Sequence, residues 1–280
     1  MLITMLIVII LAVIQGLTEF LPVSSSGHLV IFESLLDFRS RGEYQGVVFE
    51  VAVHLGTLGA VIFVYRQKVK ELLVSLGKVA VFSTGKVGSE GREMVSADIR
   101  YILLLIVASI PAGLVGLTLN DRIESTFTEP SIASLLLIVT GVFLLLTRLR
   151  RGNNRITYLY ALLIGVAQAV AILPGCSRSG WTITTAILLG IGFEEAAEFS
   201  FILSVPAILG AVLLQIVGGD IKPSSEFMLP LIVGILVSFA SGWLALKLVL
   251  GILRRGYFHR FAYYLLPAGI FFFVYFSYIR

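Results

Sequence analysis

Cysteine is nearly absent. Cys176 stands alone in 280 residues, which excludes an internal disulfide framework and a cysteine-based metal centre. Charge is scarce too: Asp, Glu, Lys and Arg make up 14% of the chain, against about 25% in a soluble domain. No Lys or Arg precedes Arg39, so the charged n-region of a secretory signal is missing. The first apolar run is therefore expected to belong to the mature fold. The net charge of +4 comes from basic residues expected in short loops between apolar runs, and no nucleic-acid partner is expected.

What fills the chain is apolar. Hydrophobic residues make up 58% and the mean hydropathy is +0.98. Several windows exceed the roughly 18 apolar residues that mark a spanning helix. Six segments read as full spans, at about 49–65, 100–119, 131–147, 199–218, 227–250 and 261–279. Two regions remain, 1–38 and 157–192, each read as two half-length apolar stretches broken by Pro, Gly and Ser. Stretches too short to cross are expected to re-enter. The predicted fold is an all-α polytopic membrane protein with six transmembrane helices plus two re-entrant helical hairpins in an inverted repeat.

The repeat is legible in the hairpins. "QGLTEFLPVSSSGH" (15–28) set against "QAVAILPGCSRSGW" (168–181) shares the Gln, the Leu-Pro, two serines and the Gly. "TLGAV" (57–61) likewise falls on "ILGAV" (208–212). The units predicted are 1–150 and 151–280, each a hairpin followed by three spans. Three crossings are odd in number, so the second unit must be inverted. Basic residues concentrate in the predicted loops 66–99, 148–156 and 251–260, while 120–130 holds only Arg122 and 219–226 only Lys222. By the positive-inside rule the basic loops face the cytoplasm. Both termini then lie outside, and the polar hairpin tips meet near the midplane, as in other inverted-repeat membrane folds.

Polar, irregular backbone at that depth is tolerated only inside protein or along a cavity. Ser24 to Ser26 can cap a helix over 26–36, and Ser177 to Ser179 one over 180–192. Two helix N-termini aimed into one cavity make an anion site, and Arg178 adds a forked, permanent positive charge suited to phosphate oxygens. Glu19 lies one helical turn from Gln15 and suits a divalent cation or a general base. His28 follows Ser25 by three residues on the same helical face. Ser, His and Glu beside an anion hole can attack phosphorus. Each polar feature also has a plain structural use. Serines cap and glue membrane helices, Trp181 and Trp243 suit packing or interface anchoring, and Glu50 and His54 begin a span near the outer face. Glu194, Glu195 and Glu198 read as a solvated cytoplasmic turn.

"QGLTEFLPVSSSGHL" and "PGCSRSGWTI" closely resemble the two signature motifs of the undecaprenyl-diphosphate phosphatase family of the bacitracin-resistance type. The resemblance runs on through "FEVAVHLGTLGAV" and "EFSFILSVPAILGAV" and covers nearly the whole chain. It implies a membrane phosphatase that removes the terminal phosphate of a C55 polyprenyl diphosphate, so that the lipid carrier is reused for cell-wall polymers. It implies a divalent cation, Mg or Ca. Carried over by motif position, the catalytic candidates are Glu19, Ser25, His28 and Arg178, with Glu19 also the metal ligand. Gln15, Ser177 and Thr182 are candidates for substrate binding, joined by Ser24, Ser26 and Ser179 from the tips. The nucleophile stays open between Ser25, His28 and a bound water. Gln15 takes the Gln option of its motif, so one carboxylate is missing, and His54 brings an imidazole where a Gln is expected. The partners expected are the polyprenyl diphosphate lipid and the membrane, with a homodimer as candidate assembly. The site is expected to open toward the outer face of the plasma membrane.

Two rivals can be weighed. Acid-phosphatase type 2 lipid phosphatases use Ser-Arg-x5-His, and counting from Ser177 reaches Thr184 instead of a His. A transporter or flippase of a phosphorylated polyprenyl lipid would share the inverted repeats but has less use for Ser25 and His28 together. The topology has its own test. With Cys176 removed, Ser89→Cys should react with an impermeant thiol reagent only after the inner face is opened, and Ser224→Cys should react from outside. Equal labelling of both from outside would overturn the inverted arrangement.

Overall fold

The structure is a computed structural model and describes residues 2–38, 46–82, 89–118, 129–149, 152–218 and 227–279. Lys86, Arg122, Arg150, Arg151 and Lys222 lie outside the described residues, so the charge comparison between faces rests on the sequence. The described residues are helical apart from turns and one isolated bridge between Asn154 and Ile191.

The first hairpin pairs α1 (Leu2–Phe20) with α2 (Ser25–Leu35). Pro22 lacks an N–H and disfavours helix in the residue before it, so α1 stops at Phe20. Ser24, with φ +70°, caps α2 by accepting from the Gly27 N–H at 3.2 Å. The second hairpin pairs α7 (Tyr158–Val170) with α8 (Arg178–Leu188), and Ser177 caps α8 by accepting from the Gly180 N–H at 3.1 Å. Arms of 13 and 11 residues match the expected half-length stretches. The first hairpin differs. α1 has 19 residues and is long and apolar enough to cross. Gln15, Gly16 and Glu19 are buried, so they sit on the packed side of one continuous helix instead of interrupting it.

Between the hairpins run α3 (Gly46–Val64), α4 (Arg66–Phe82), α5 (Ser89–Thr118) and α6 (Pro130–Leu145). After them come α9 (Phe193–Gly218), α10 (Met228–Arg254) and α11 (Ala262–Val274). Six described helical segments, Leu2–Phe20, Val95–Thr118, Pro130–Arg148, Phe193–Gln215, Met228–Arg254 and Phe258–Ile279, are long and apolar enough to cross a membrane. The Val48–Val64 segment qualifies only together with Arg66–Lys78, from which it is bent by 84°. The protein is a multi-pass α-helical membrane protein.

Two sequence expectations are corrected here. The stretch 66–99 is helix over most of its length. Lys68 reaches Asp98 at 3.2 Å and Ser75 donates to the other Asp98 oxygen at 2.7 Å, which fastens α4 to α5. Glu194 and Glu195 are exposed, as a solvated turn requires, but with Glu198 they belong to the first turns of α9, where acidic side chains suit the positive helix end.

Small residues bring the helices together. α10 lies against both α1 and α3. A Cβ on Gly16 would sit 2.6 Å from the Ser238 carbonyl oxygen, and one on Gly56 would strike the carbonyl of Ile235. α7 meets α5 where Gly165 faces the Ala108 carbonyl, and α6 meets α11 at Gly141 and Gly269. Lipid tails are as apolar as leucine, so close backbone approach is what joins membrane helices. The opposite faces are apolar and exposed, as with Leu103, Ile106, Ile110, Leu114 and Leu117 on α5. This frame clamps both hairpins and fixes where their tips meet.

Gly16→Ala should therefore force α1 off α10 at a cost of about 1–3 kcal/mol. Gly113→Ala has nothing within 4 Å of the new Cβ and should unfold at or above the wild-type temperature. Thermal unfolding in one detergent compares them, and equal midpoints for both variants would refute the close-packing account.

Candidate active site at the hairpin tips

The two tips touch. Ser24 Oγ accepts from the Gly175 N–H at 3.1 Å, and Ser179 Oγ donates to the Leu21 carbonyl at 3.3 Å. Gly27 faces Gly175, where an added Cβ would lie 2.8 Å from Cα, and Gly180 faces Pro22. Gly175 has φ +98°, a conformation that glycine adopts without strain. Two helix N-termini are thus held side by side.

Glu19 is the hub. Its side chain is only 6% exposed. One carboxylate oxygen, Oε1, accepts from Arg178 Nη2 at 2.8 Å. The other, Oε2, accepts from Ser25 Oγ at 2.6 Å and from Gln15 Nε2 at 2.9 Å. The Glu–Gln spacing of one helical turn, read from sequence, is a hydrogen bond here. Arg178 reaches across from the other hairpin and donates through Nη1 to the Ser200 carbonyl at 3.2 Å. Its charge-assisted bond to a carboxylate is of the strong kind. Ser25, Ser26 and Arg178 are half-buried, so they are the parts of the tips that an incoming anion can reach.

The structure does not bring His28 to Ser25. His28 Nδ1 bonds the Ser24 carbonyl at 2.8 Å, and Nε2 bonds the Tyr264 hydroxyl at 2.8 Å. The ring stacks near Tyr264 and Phe32. Since a carbonyl only accepts, Nδ1 carries the hydrogen and Nε2 accepts from Tyr264. The partner of Ser25 is Glu19. The three-residue spacing was compatible with a Ser–His pair, but Tyr264 comes from α11 and no local pattern announces it.

The buried hydroxyls hold the tips. Ser24 and Ser177 are caps. Ser26 lies 3.4 Å from Ser24 Oγ, and Ser179 lies 3.3 Å from Ser177 Oγ. Thr182 donates to the Arg178 carbonyl at 2.7 Å and lies 2.6 Å from Ser200 Oγ. Thr140 on α6 was missed from the sequence. It donates to the Gly175 carbonyl at 2.9 Å and accepts from Ser177 N–H at 3.4 Å and from the Trp181 indole at 3.3 Å. Trp181 also stacks on Phe143 at 4.4 Å, a packing role. Lone polar residues inside apolar runs, such as Thr140 in "LLLIVTGVFLLL" and Ser200 in "EFSFILSV", were the signal available.

Cation-holding groups are few. Among the described residues no three His, Cys, Asp or Glu side chains gather into a metal-binding group. Glu19 has one oxygen not engaged by Arg178, and beside it Gln15 Oε1 is buried without a hydrogen-bond partner. A buried, unpartnered carbonyl oxygen next to a carboxylate fits a hard cation whose remaining ligands are phosphate oxygens. His54 Nε2 lies 3.8 Å from Glu19 Oε2.

The family described as bacitracin resistance protein BacA matches residues 8–271. This chain belongs to that family. A relative from Korarchaeum cryptofilum, named undecaprenyl-diphosphatase, is 38% identical over 264 residues, covering 94% of this chain and 95% of the relative. One of the same name from Desulforapulum autotrophicum is 39% identical over 268 residues, with 94% and 95% covered. One from Rhodopirellula baltica, also so named, is 38% identical over 273 residues. The family match takes in both hairpins, and with them Glu19, Ser25 and Arg178.

Arg178→Lys should keep the charge and lose most phosphatase activity. A lysine is a point donor and cannot hold Glu19, the Ser200 carbonyl and two phosphate oxygens as a planar fork does. Turnover near wild type in that variant would show that charge alone suffices.

Proposed function

We propose that the protein hydrolyses undecaprenyl diphosphate to the monophosphate and inorganic phosphate, and so recycles the lipid carrier for cell-wall synthesis. The single observation that carries this is the Ser25–Glu19–Arg178 constellation at two helix N-termini, in a chain of the bacitracin-resistance family whose relatives carry the diphosphatase name.

Each group has a task. The paired N-termini and Arg178 bind the terminal phosphate. Ser25 Oγ attacks phosphorus while its proton passes along the 2.6 Å hydrogen bond to Glu19 Oε2. The bond from phosphorus to the bridging oxygen breaks, and polyprenyl monophosphate leaves with that proton. Water then attacks the phosphoserine. Glu19 takes the proton of the water and returns one to Ser25 as inorganic phosphate departs. His28 serves as a strut between the first tip and Tyr264. A cation of the Mg or Ca class would be held by Glu19 and Gln15 oxygens, and when bound it supplies neutralisation of the diphosphate charge.

The proposal includes the two inverted units, 1–150 and 151–280, both termini outside and a site open to the outer face. It rests on the charge distribution and on the matching tips. A homodimer would have to pair exposed apolar faces such as that of α5, and the mass of the detergent-solubilised protein decides it.

Purified protein in detergent, with no second compartment, should release phosphate from undecaprenyl diphosphate and stop on addition of EDTA. Ser25→Ala should lower turnover by several orders of magnitude. A loss of only a few-fold with the fold intact would remove the serine from the reaction and leave a water as nucleophile. No phosphate release by the wild type would refute the function.

A further inference from the structure

His54 stands at the site with no task in that reaction. It lies on α3, one turn after Glu50, and its Nδ1 meets the Glu50 carbonyl at 2.7 Å. The carbonyl can only accept, so Nδ1 carries a hydrogen and the ring is fixed with Nε2 aimed at Glu19 Oε2, 3.8 Å away. That is too long for a hydrogen bond. With the hydrogen on Nδ1, the Nε2 lone pair faces the carboxylate, and a cation between the two satisfies both. Imidazole nitrogen and carboxylate oxygen bind a first-row metal such as Zn(II) at about 2.0–2.2 Å, so two such bonds reach at most about 4.4 Å and one ion can bridge the gap. Gln15 Oε1, buried and unpartnered, belongs to the amide already touching the same carboxylate oxygen. A half-turn of that amide exchanges its NH2 for the oxygen. His54 is 29% exposed in its side chain, so the gap has an entrance.

We propose that His54 Nε2 is a third protein ligand of the cation at Glu19, and that it makes this site prefer Mn(II) over Mg(II) or Ca(II). The proposal rests on the cation reading given above and narrows it. Mg and Ca take oxygen ligands, whereas an imidazole in the set favours first-row transition metals over them, with Mn(II) the weakest binder of the series. Among these Mn(II) also accepts the carboxylate, amide and phosphate oxygens that make up the rest of the set. The pattern of one ring nitrogen on a backbone carbonyl and the other free for metal is the usual way a protein orients a ligating histidine.

The test uses full-length protein in detergent, with any affinity tag removed, and Mn(II) alone as the probe. Electron paramagnetic resonance counts bound Mn(II), and pulsed measurements report whether nitrogen is directly coordinated. Wild type should bind one Mn(II) with a directly coordinated nitrogen. His54→Gln should lose the nitrogen signal and weaken Mn(II) by about tenfold or more, while Mg(II) competes as well as or better than before. His54→Ala, checked for an unchanged melting temperature, should lose the same signal. Glu19→Gln should lose Mn(II) altogether. Bound Mn(II) with an all-oxygen spectrum in the wild type, or unchanged affinity in His54→Gln, would overturn the role of His54. Absence of bound Mn(II) in a wild type whose phosphate release is still stopped by EDTA and restored by Mg(II) would overturn it and leave the Mg or Ca reading standing. Absence of any divalent requirement would remove the cation reading as well, with the hydrolysis reading untouched.

Discussion

The bond between Glu19 and Arg178 is the constraint on which the rest of the structure depends. Each charge, placed alone in a membrane helix, costs about 2.5–3.5 kcal/mol on insertion scales. Here they meet at 2.8 Å across 159 residues of sequence. Removing one partner of such a buried pair typically costs about 3–5 kcal/mol, because the other is left uncompensated. The pair is worth keeping only if both hairpins are held in register, and the polar groups around it do that. The Ser200 carbonyl holds the second nitrogen of Arg178, Thr182 ties the Arg178 backbone to α9, and Gln15 and Ser25 donate to the other oxygen of Glu19. The helix frame, with its glycine contacts at Gly16, Gly56 and Gly165, then serves to keep two tips within a few ångströms of each other.

Function comes from how the two tips differ. Both use a capping serine three residues before a glycine N–H, and each glycine faces the other tip. On that shared backbone the residue after the cap is Ser25 in one case and Arg178 in the other. One tip presents a hydroxyl to Glu19 and the other a guanidinium, which in the proposed reaction are the nucleophile and the anchor for the phosphoryl oxygens. Three positions further on the pattern diverges again. His28 spans to Tyr264 on α11, while Trp181 packs against Phe143 and Thr140 on α6. These outer partners brace the tips against different helices and leave the gap between Ser25 and Arg178 to the ligand.

Much of this was legible in the sequence, because membrane helices announce themselves by length and polar interruptions by contrast. The caps at Ser24 and Ser177, the turn shared by Gln15 and Glu19, and the meeting of Arg178 with the first tip all follow from local chemistry and the internal repeat. What was not legible was long-range. A three-residue spacing put His28 on the face of Ser25, yet the ring rotamer is decided by Tyr264, 236 residues away. The burial of the polar side of α1 hid its continuity, so one full-length helix read as a half-length hairpin arm. The amphipathic α4 read as loop, because its lysines and leucines make sense only once α5 lies beside it and Asp98 receives Lys68 and Ser75.

The same ion pair that builds the site also bears on when it reacts. With Arg178 on Oε1 at 2.8 Å, the charge of Glu19 is matched while the site is empty. In the proposed reaction, a diphosphate arriving at the tips competes for the Arg178 fork, since a negative phosphate draws such donors toward itself. In that reaction Arg178 turns from Oε1 to the phosphate, and Glu19 takes a proton on Oε2. Ser25, already hydrogen-bonded to Oε2 at 2.6 Å, is the nearest donor on that oxygen able to release one. In the proposed reaction, substrate binding thus releases Oε1 of Glu19 from Arg178 as the phosphorus comes within reach of Ser25. The coupling requires one residue to serve both structure and substrate, which is why a fork of donors, and not a single ammonium, stands at position 178.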